Sequence, residues 1–326
     1  MSLSHLLSVA PMMERTDRHC RYLLRLISPN SWLYTEMITA SALVDGGRLR
    51  LLKFHPSECP VALQLGGSDS DKLAQAAYLG AKAGYDEINL NVGCPSSRVQ
   101  SGRFGASLMA EPATVIACIK AMTQVVDIPV TVKTRLGIDD LDSYEFLHNF
   151  IGIVSDAGCR TVIIHARKAL LAGLSPKQNR QIPPLNYQRV YRLKKDYPSL
   201  EVILNGGLDA ESEVFKQLKH VDGVMLGRQA YKNPYLLGSL DSNLFGGPAT
   251  SSREDILKEF LPYIRAELDA GTPLSMMTRP LMGLYAGCPG SRAWRCFLGG
   301  LSGGEQGYEL LQKSQAVLSK NPMSPV

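Results

Sequence analysis

Short apolar runs alternate, over the first 240 positions, with longer segments whose apolar residues recur at helical spacing. The runs fall at 6–12, 32–38, 61–65, 86–92, 129–135, 161–167, 201–205 and 223–226. Their cores are near-continuous Val, Ile and Leu, as expected of parallel strands covered on both faces. Between them, 70–83 opens on polar capping residues and stops before Gly84, a good helix terminator. Segment 111–126 has Pro112 in its first turn and Val115, Ile119, Met122 and Val126 on one face. Segments 143–156, 186–196 and 210–220 are similar, and the segment after the second run is the weakest. Eight alternations in this length predict an α/β fold, a (β/α)8 TIM barrel over 1–240. A doubly wound sheet would need a glycine-rich turn after the first strand, where the chain instead reads Ala10-Pro11-Met12-Met13.

Beyond the eighth strand the pattern changes. Residues 241–252, DSNLFGGPATSS, read as a linker. Only helices follow, over 253–269, 291–301 and 305–320, so 253–326 is expected to be a small C-terminal all-α domain. Leu257, Phe260, Leu261, Ile264 and Leu268 share one face of the first, and Pro262 should kink it or end its first half. Trp294, Phe297, Leu298 and Leu301 group in the second, and Tyr308, Leu311, Gln315 and Leu318 in the third. Residues 321–326 should fray.

Composition narrows the class. The 326 residues are 45% hydrophobic and 20% charged, ordinary for a soluble globular chain. No apolar run approaches the ~18 residues of a membrane span. The start, MSLSHLLSVAPMM, lacks the basic and apolar regions of a signal peptide. Seven cysteines without CxxC spacing argue for a reducing, cytoplasmic setting, and six histidines without HExxH give a metal site no support. Net charge is +5, but its distribution says more. Segment 157–195 has no acidic residue and carries Arg160, Arg167, Lys168, Lys177, Arg180, Arg189, Arg192, Lys194 and Lys195. Segment 271–304, also acid-free, holds Arg279, Arg292 and Arg295. These are either solvated faces or the footprint of a polyanion. Nothing points to an obligate protein partner.

Barrel enzymes work at the C-terminal ends of their strands. Those ends here carry Pro11, Met12 and Met13; Glu36 and Met37; Gln64, Gly66 and Gly67; Asn91 and Cys94; Lys133 and Arg135; His165 and Arg167; Asn205, Gly206 and Gly207; and Gly227 and Arg228. A lone cysteine is usually a small buried hydrophobe. Cys94, however, sits between Asn91, Gly93 and Pro95 ahead of a polar, basic loop, which favours a reactive thiol. Gly206-Gly207 and Gly227-Arg228 read either as tight turns or as a phosphate site, with exposed backbone N–H groups and an arginine. Thr131, Lys133 and Arg135 share one strand face, and an inward lysine needs an anionic or polar partner. His165 alone would be an ordinary core histidine; beside Lys133 an electron-rich ring becomes a common partner. A phosphate site with Lys, His, Gln and Asn inside the barrel suits a flavin mononucleotide. Without a dinucleotide fingerprint, a nicotinamide would be a visiting reductant.

The segment NVGCPSSRVQSGRFGASLM, at 91–109, resembles the signature of the tRNA-dihydrouridine synthases, through Asn91, the Gly-Cys-Pro triplet, Val99, Gly102, Gly105-Ala106 and Leu108. APMM, TEM at 35–37, QLGG at 64–67, VKTR at 132–135, IHAR at 164–167, NGG at 205–207 and GR at 227–228 match as well. GLSPKQNRQIPPL at 173–185 and SRAWR at 291–295 resemble subfamily A. The likeness covers almost the whole chain and loosens after about 240. It implies an FMN barrel with a helical tRNA-binding domain, reducing the C5=C6 bond of D-loop uridine (U20 and U20a) with NADPH. By position, the FMN ligands are Pro11, Met12, Met13, Gln64, Lys133, His165, Asn205, Gly206, Gly207, Gly227 and Arg228; the proton donor is Cys94; the tRNA contacts are Asn91, Arg180, Pro183, Arg292 and Arg295. Hydride passes from flavin N5 to C6, and C5 must then be protonated, which a thiol can do because it is mostly protonated at neutral pH. The uridine must leave its stack to reach the barrel.

Two rival readings make different demands. A flavin barrel acting on a free pyrimidine would leave Arg180, Arg292 and Arg295 without a purpose. A non-catalytic RNA-binding protein would need neither an inward Lys133 nor Cys94.

Overall fold

The fold comes from a computed structural model that describes residues 5–320, with side chains through residue 314. Nine strands are described: β1 (Leu7–Val9), β2 (Trp32–Tyr34), β3 (Ile38–Thr39), β4 (Val61–Gly66), β5 (Glu87–Val92), β6 (Val130–Arg135), β7 (Thr161–His165), β8 (Glu201–Asn205) and β9 (Gly223–Leu226). All pair in parallel. β1 pairs with both β2 and β9, and β2 pairs directly with β4, which closes an eight-stranded barrel. The run expected over 32–38 is thus two strands, and β3 is a short piece against the end of β4.

Helices surround the barrel where the periodicity places them. The helix Ser70–Ala83 is capped by the Asp69 carboxylate and ends at Gly84, whose φ of 97° suits glycine. Pro112–Thr123, Tyr144–Asp156, Tyr187–Asp196 and Glu211–Leu218 follow in turn.

The barrel interior is two kinds of surface. Ala10, Trp32, Tyr34, Ala62, Ile163, Ile203 and Met225 form an apolar cluster. β5 and β6 contribute polar residues instead. Glu87, Asn89 and Asn91 alternate with fully buried Ile88, Leu90 and Val92, so one face of β5 is polar and the other apolar.

The chain divides into two compact units, and the division is not sequential. Among the described residues, one unit is 5–13 with 32–227, and the other is 14–31 with 228–320. The helix Arg18–Ile27, the first after β1, belongs to the second unit. Its Leu23 and Ile27 join a core with Ile256, Phe260, Ile264, Met277, Tyr285 and Trp294. The expected linker begins inside a helix, Tyr235–Phe245, that stops at Gly246 with φ 68°. Asp241 is buried there, accepting from the Ser28 hydroxyl and from the backbone and side-chain nitrogens of Asn30. The helix Arg253–Asp269 runs through Pro262 without a break, held by its packed apolar face. The expected fraying at 321–326, and the side chains of Gln315 and Leu318, lie outside the described residues.

Candidate active site at the barrel mouth

The loop after β5 is held on several sides. The Asn91 Oδ1 accepts from the backbone N–H groups of Gly93 and Cys94 at 3.1 and 3.0 Å. The Gly93 carbonyl accepts from Arg135 Nε at 2.8 Å. The Cys94 carbonyl accepts from Ala106 N at 2.9 Å. Gly105 is required there: its φ is 75°, and a Cβ would lie 2.6 Å from the Cys94 oxygen. Ser96 caps the short helix Ser97–Ser101, and its hydroxyl lies 3.6 Å from the Cys94 sulfur. Cys94 is half-buried, so the fixed backbone presents a thiol that remains accessible.

β6, β7 and β8 bring the rest together. Strand register pairs Asn91 with Lys133, Arg135 with His165, and His165 with Asn205. Lys133 Nζ donates to Asn205 Oδ1 at 3.0 Å, and Asn205 Nδ2 donates to the Met225 carbonyl. Burial, aided by the Arg135 charge, lowers the Lys133 ammonium to about 7. Burial likewise lowers Arg135 to about 10. His165 is held well below its ordinary value by burial and by the charges of Arg135, Lys133, Arg167 and Arg180, so its imidazole is neutral at physiological pH. Neither Lys133 nor Arg135 forms an ion pair with a carboxylate among the described residues; Arg135 donates to the carbonyls of Gly93, Lys168 and Asn179. Gly206 and Gly207 have φ of 113° and 70°, and a Cβ on Gly206 would fall 2.6 Å from the His165 ring.

The segment after β7 is pinned by buried Asn179, which bonds the backbone of Leu170 and Leu174. Arg180 ends a short 3-10 turn, Gln178–Arg180. Pro183 is buried, its carbonyl accepting from Arg167. Pro11 and Met12 are half-buried, with Met12 against the apolar interior cluster, whereas Met13 is exposed. Gly227 ends the first unit. Arg228, Arg292 and Arg295 belong to the second, and all three are exposed. On the helix Ser291–Gly299, Trp294 and Leu298 are buried while Arg292 and Arg295 face outward, with no ion pair among the described residues.

Glu87, Asn89 and Thr131, three interior residues that support the mouth, were not singled out as site residues from sequence. Gln64 donates to Asn89 and accepts from Asn91, and Asn89 in turn bonds Thr131, which bonds Glu87. The alternation Glu-Ile-Asn-Leu-Asn-Val over 87–92 was the available signal.

Lys133 and Arg135 lie toward the C-terminal mouth of a closed parallel barrel, on the strand beside the one that leads to Cys94. The family profile described as Dihydrouridine synthase (Dus) matches residues 8–320. A tRNA-dihydrouridine(20/20a) synthase of Shewanella oneidensis is 56% identical over 298 residues, covering 91% of this chain and 89% of the relative. Its namesake in Escherichia coli K12 is 56% identical over 293 residues, covering 89% and 85%. In fold alone, the chain is similar to a solved 2-naphthoyl-CoA reductase, with TM-score 0.55 and 13% identity over 77% of this chain and 51% of the other. The chain belongs to the dihydrouridine synthase family, flavoprotein oxidoreductases that act on a CH–CH bond, the C5=C6 bond of uridine in tRNA.

Proposed function

We propose that this chain is a tRNA-dihydrouridine synthase acting at positions 20 and 20a, with tightly bound FMN and NADPH as a transient reductant. The observation that carries the cofactor assignment is Lys133 and Arg135 beside neutral His165, with no carboxylate paired to either side chain among the described residues, at the mouth that presents Cys94. FMN fits it: Lys133, neutral His165 and the Gln64 amide would hold an electron-rich ring, and Gly206-Gly207 and Gly227-Arg228 would hold a phosphate. Pro11, Met12, Met13 and Asn205 complete the ligand set. When bound, the flavin supplies hydride to C6 of the uracil.

The remaining chemistry belongs to the chain. Cys94 gives its thiol proton to C5, and the Asn91 side chain keeps the Cys94 backbone in place while that proton moves. Lys133, with a proton affinity near neutrality, balances negative charge on whatever ring it touches. Arg180 and Pro183 lie on the segment after β7, where an extruded uridine would meet them. In the helical unit, exposed Arg292 and Arg295 take phosphates, so that unit serves tRNA binding and the barrel unit catalysis. A tRNA substrate suits the cytoplasm. Among the described residues no helix is long and apolar enough to cross a membrane, and no cluster could hold a metal.

The test is an absorbance spectrum of the purified protein followed by NADPH oxidation with and without tRNA. Flavin bands and tRNA-stimulated oxidation are expected. A colourless protein that binds no added FMN, or oxidation indifferent to tRNA, overturns the reading.

A further inference from the structure

A single hydrogen-bonded line runs through the barrel from the N-terminal ends of its strands to the Cys94 loop. It starts at Glu87, the first residue of β5 and fully buried. Glu87 Oε1 accepts from the Tyr34 hydroxyl at 2.9 Å and from the Thr131 hydroxyl at 2.6 Å. Its Oε2 lies 2.6 Å from His5 Nε2. Asn89 Nδ2 reaches the Thr131 oxygen at 2.8 Å, Gln64 Nε2 reaches Asn89 Oδ1 at 2.8 Å, and Asn91 Nδ2 reaches Gln64 Oε1 at 2.9 Å. Asn91 Oδ1 then takes the N–H groups of Gly93 and Cys94.

Donor and acceptor chemistry fixes the direction of this line. A hydroxyl has one proton. Thr131 gives its proton to a carboxylate, so toward Asn89 it can only accept. Asn89 must therefore turn its NH2 to Thr131 and its oxygen to Gln64. Gln64 must then donate with nitrogen and accept with oxygen, and Asn91 must donate to it. The Asn91 oxygen is left for the two backbone N–H groups of the Cys94 loop. Reversing any one amide would set two donors or two acceptors against each other in a buried site, which is costly.

We propose that Glu87, acting through Thr131 and Asn89 as positioning residues, sets the amide orientation of Gln64 and Asn91 and so fixes both the group offered to the ring ligand and the placement of Cys94. None of the three needs to touch substrate or cofactor. The consequence is that Gln64 and Asn91 each keep one N–H proton uncommitted among the described residues, so both amides can offer a donor at the mouth. The part concerning the ligand rests on the flavin reading above; the part concerning Cys94 does not.

The test compares Thr131→Val, which keeps shape and removes the relay, with Thr131→Ser, which keeps the hydroxyl. Three quantities are read: the FMN dissociation constant of the apoprotein, the peptide-resolved alkylation rate of Cys94 by iodoacetamide, and the melting temperature. Thr131→Val should weaken FMN by about two- to tenfold, the net worth of one hydrogen bond, and change the Cys94 alkylation rate; Thr131→Ser should restore both. A folded Thr131→Val with wild-type FMN affinity and wild-type Cys94 reactivity overturns the proposal, because a merely structural threonine would change only the melting temperature. Should Thr131→Val not fold, neutron diffraction from wild-type crystals decides: Gln64 nitrogen toward Asn89 supports the relay, and Gln64 oxygen toward Asn89 overturns it. A wild-type protein that binds no FMN defeats the flavin reading, while the Cys94 rates and amide orientations still test the relay.

Discussion

The N-terminal end of the barrel makes a pH-dependent contribution to stability that can be isolated at His5. The side chain is 7% exposed, lies between Glu87 Oε2 at 2.6 Å and Glu201 Oε2 at 3.0 Å, and stacks on Trp32 at 4.3 Å between ring centroids. Burial works against its charged form, but the hydrogen bonds and charges of Glu201 and Glu87 outweigh burial and raise it from 6.5 to about 9. Because the folded value lies above the unfolded one, this stabilisation is fully present below about 6.5 and is lost as pH rises through about 9. The difference is worth about 3 kcal/mol as an upper figure. Lys133, lowered from 10.5 to about 7, acts in the opposite sense: stability rises as pH climbs from about 7 toward 10.5. Wild type must therefore be compared with His5→Gln, in which the Lys133 contribution is shared and cancels. The chain has two tryptophans, so in a Trp294→Phe background the Trp32 fluorescence reports unfolding of the barrel alone. In urea titrations the advantage of the wild-type histidine over the His5→Gln variant should shrink by about 3 kcal/mol between about pH 6 and 9.5. A difference that stays constant over that range would refute the assignment of a charged, doubly paired His5.

Cys94→Ala should keep bound FMN and its reduction by NADPH while product formation falls roughly 10²–10⁴-fold; near-normal dihydrouridine from an unmodified transcript would rule out Cys94 as the acid. Arg228→Ala should weaken FMN retention, measured by the flavin-to-protein absorbance ratio after dialysis, and full occupancy with unchanged affinity would remove the phosphate assignment. Replacing Arg292 and Arg295 together by alanine should raise the tRNA dissociation constant and flatten its salt slope by about one per lost phosphate contact, with flavin content unchanged; a wild-type slope would move the RNA elsewhere.

The barrel strands and most flanking helices were legible because their signals are local: apolar runs, helical spacing, Asp69 as a cap and Gly84 as a stop. Helix Arg18–Ile27 was not, since its membership is decided by where Leu23 and Ile27 pack, among residues more than two hundred positions away. The boundary at 241–252 failed for a related reason. A glycine- and serine-rich string looks like a linker, yet Asp241 is buried by partners at Ser28 and Asn30 that no local window contains. At the mouth, Cys94, Lys133, His165 and the paired glycines stood out as chemistry. Asn89 and Thr131 did not, because a neutral polar residue inside a strand becomes informative only when its cross-strand partner is known.

Product analysis tests the proposed reaction at its outcome. Purified protein is incubated with NADPH and an unmodified tRNA transcript, the RNA is digested, and the fragments are weighed. The fragment spanning positions 20 and 20a should gain the mass of two hydrogen atoms for each uridine reduced, only when NADPH is present. An unchanged transcript, or a gain confined to another position, would contradict the proposed reaction.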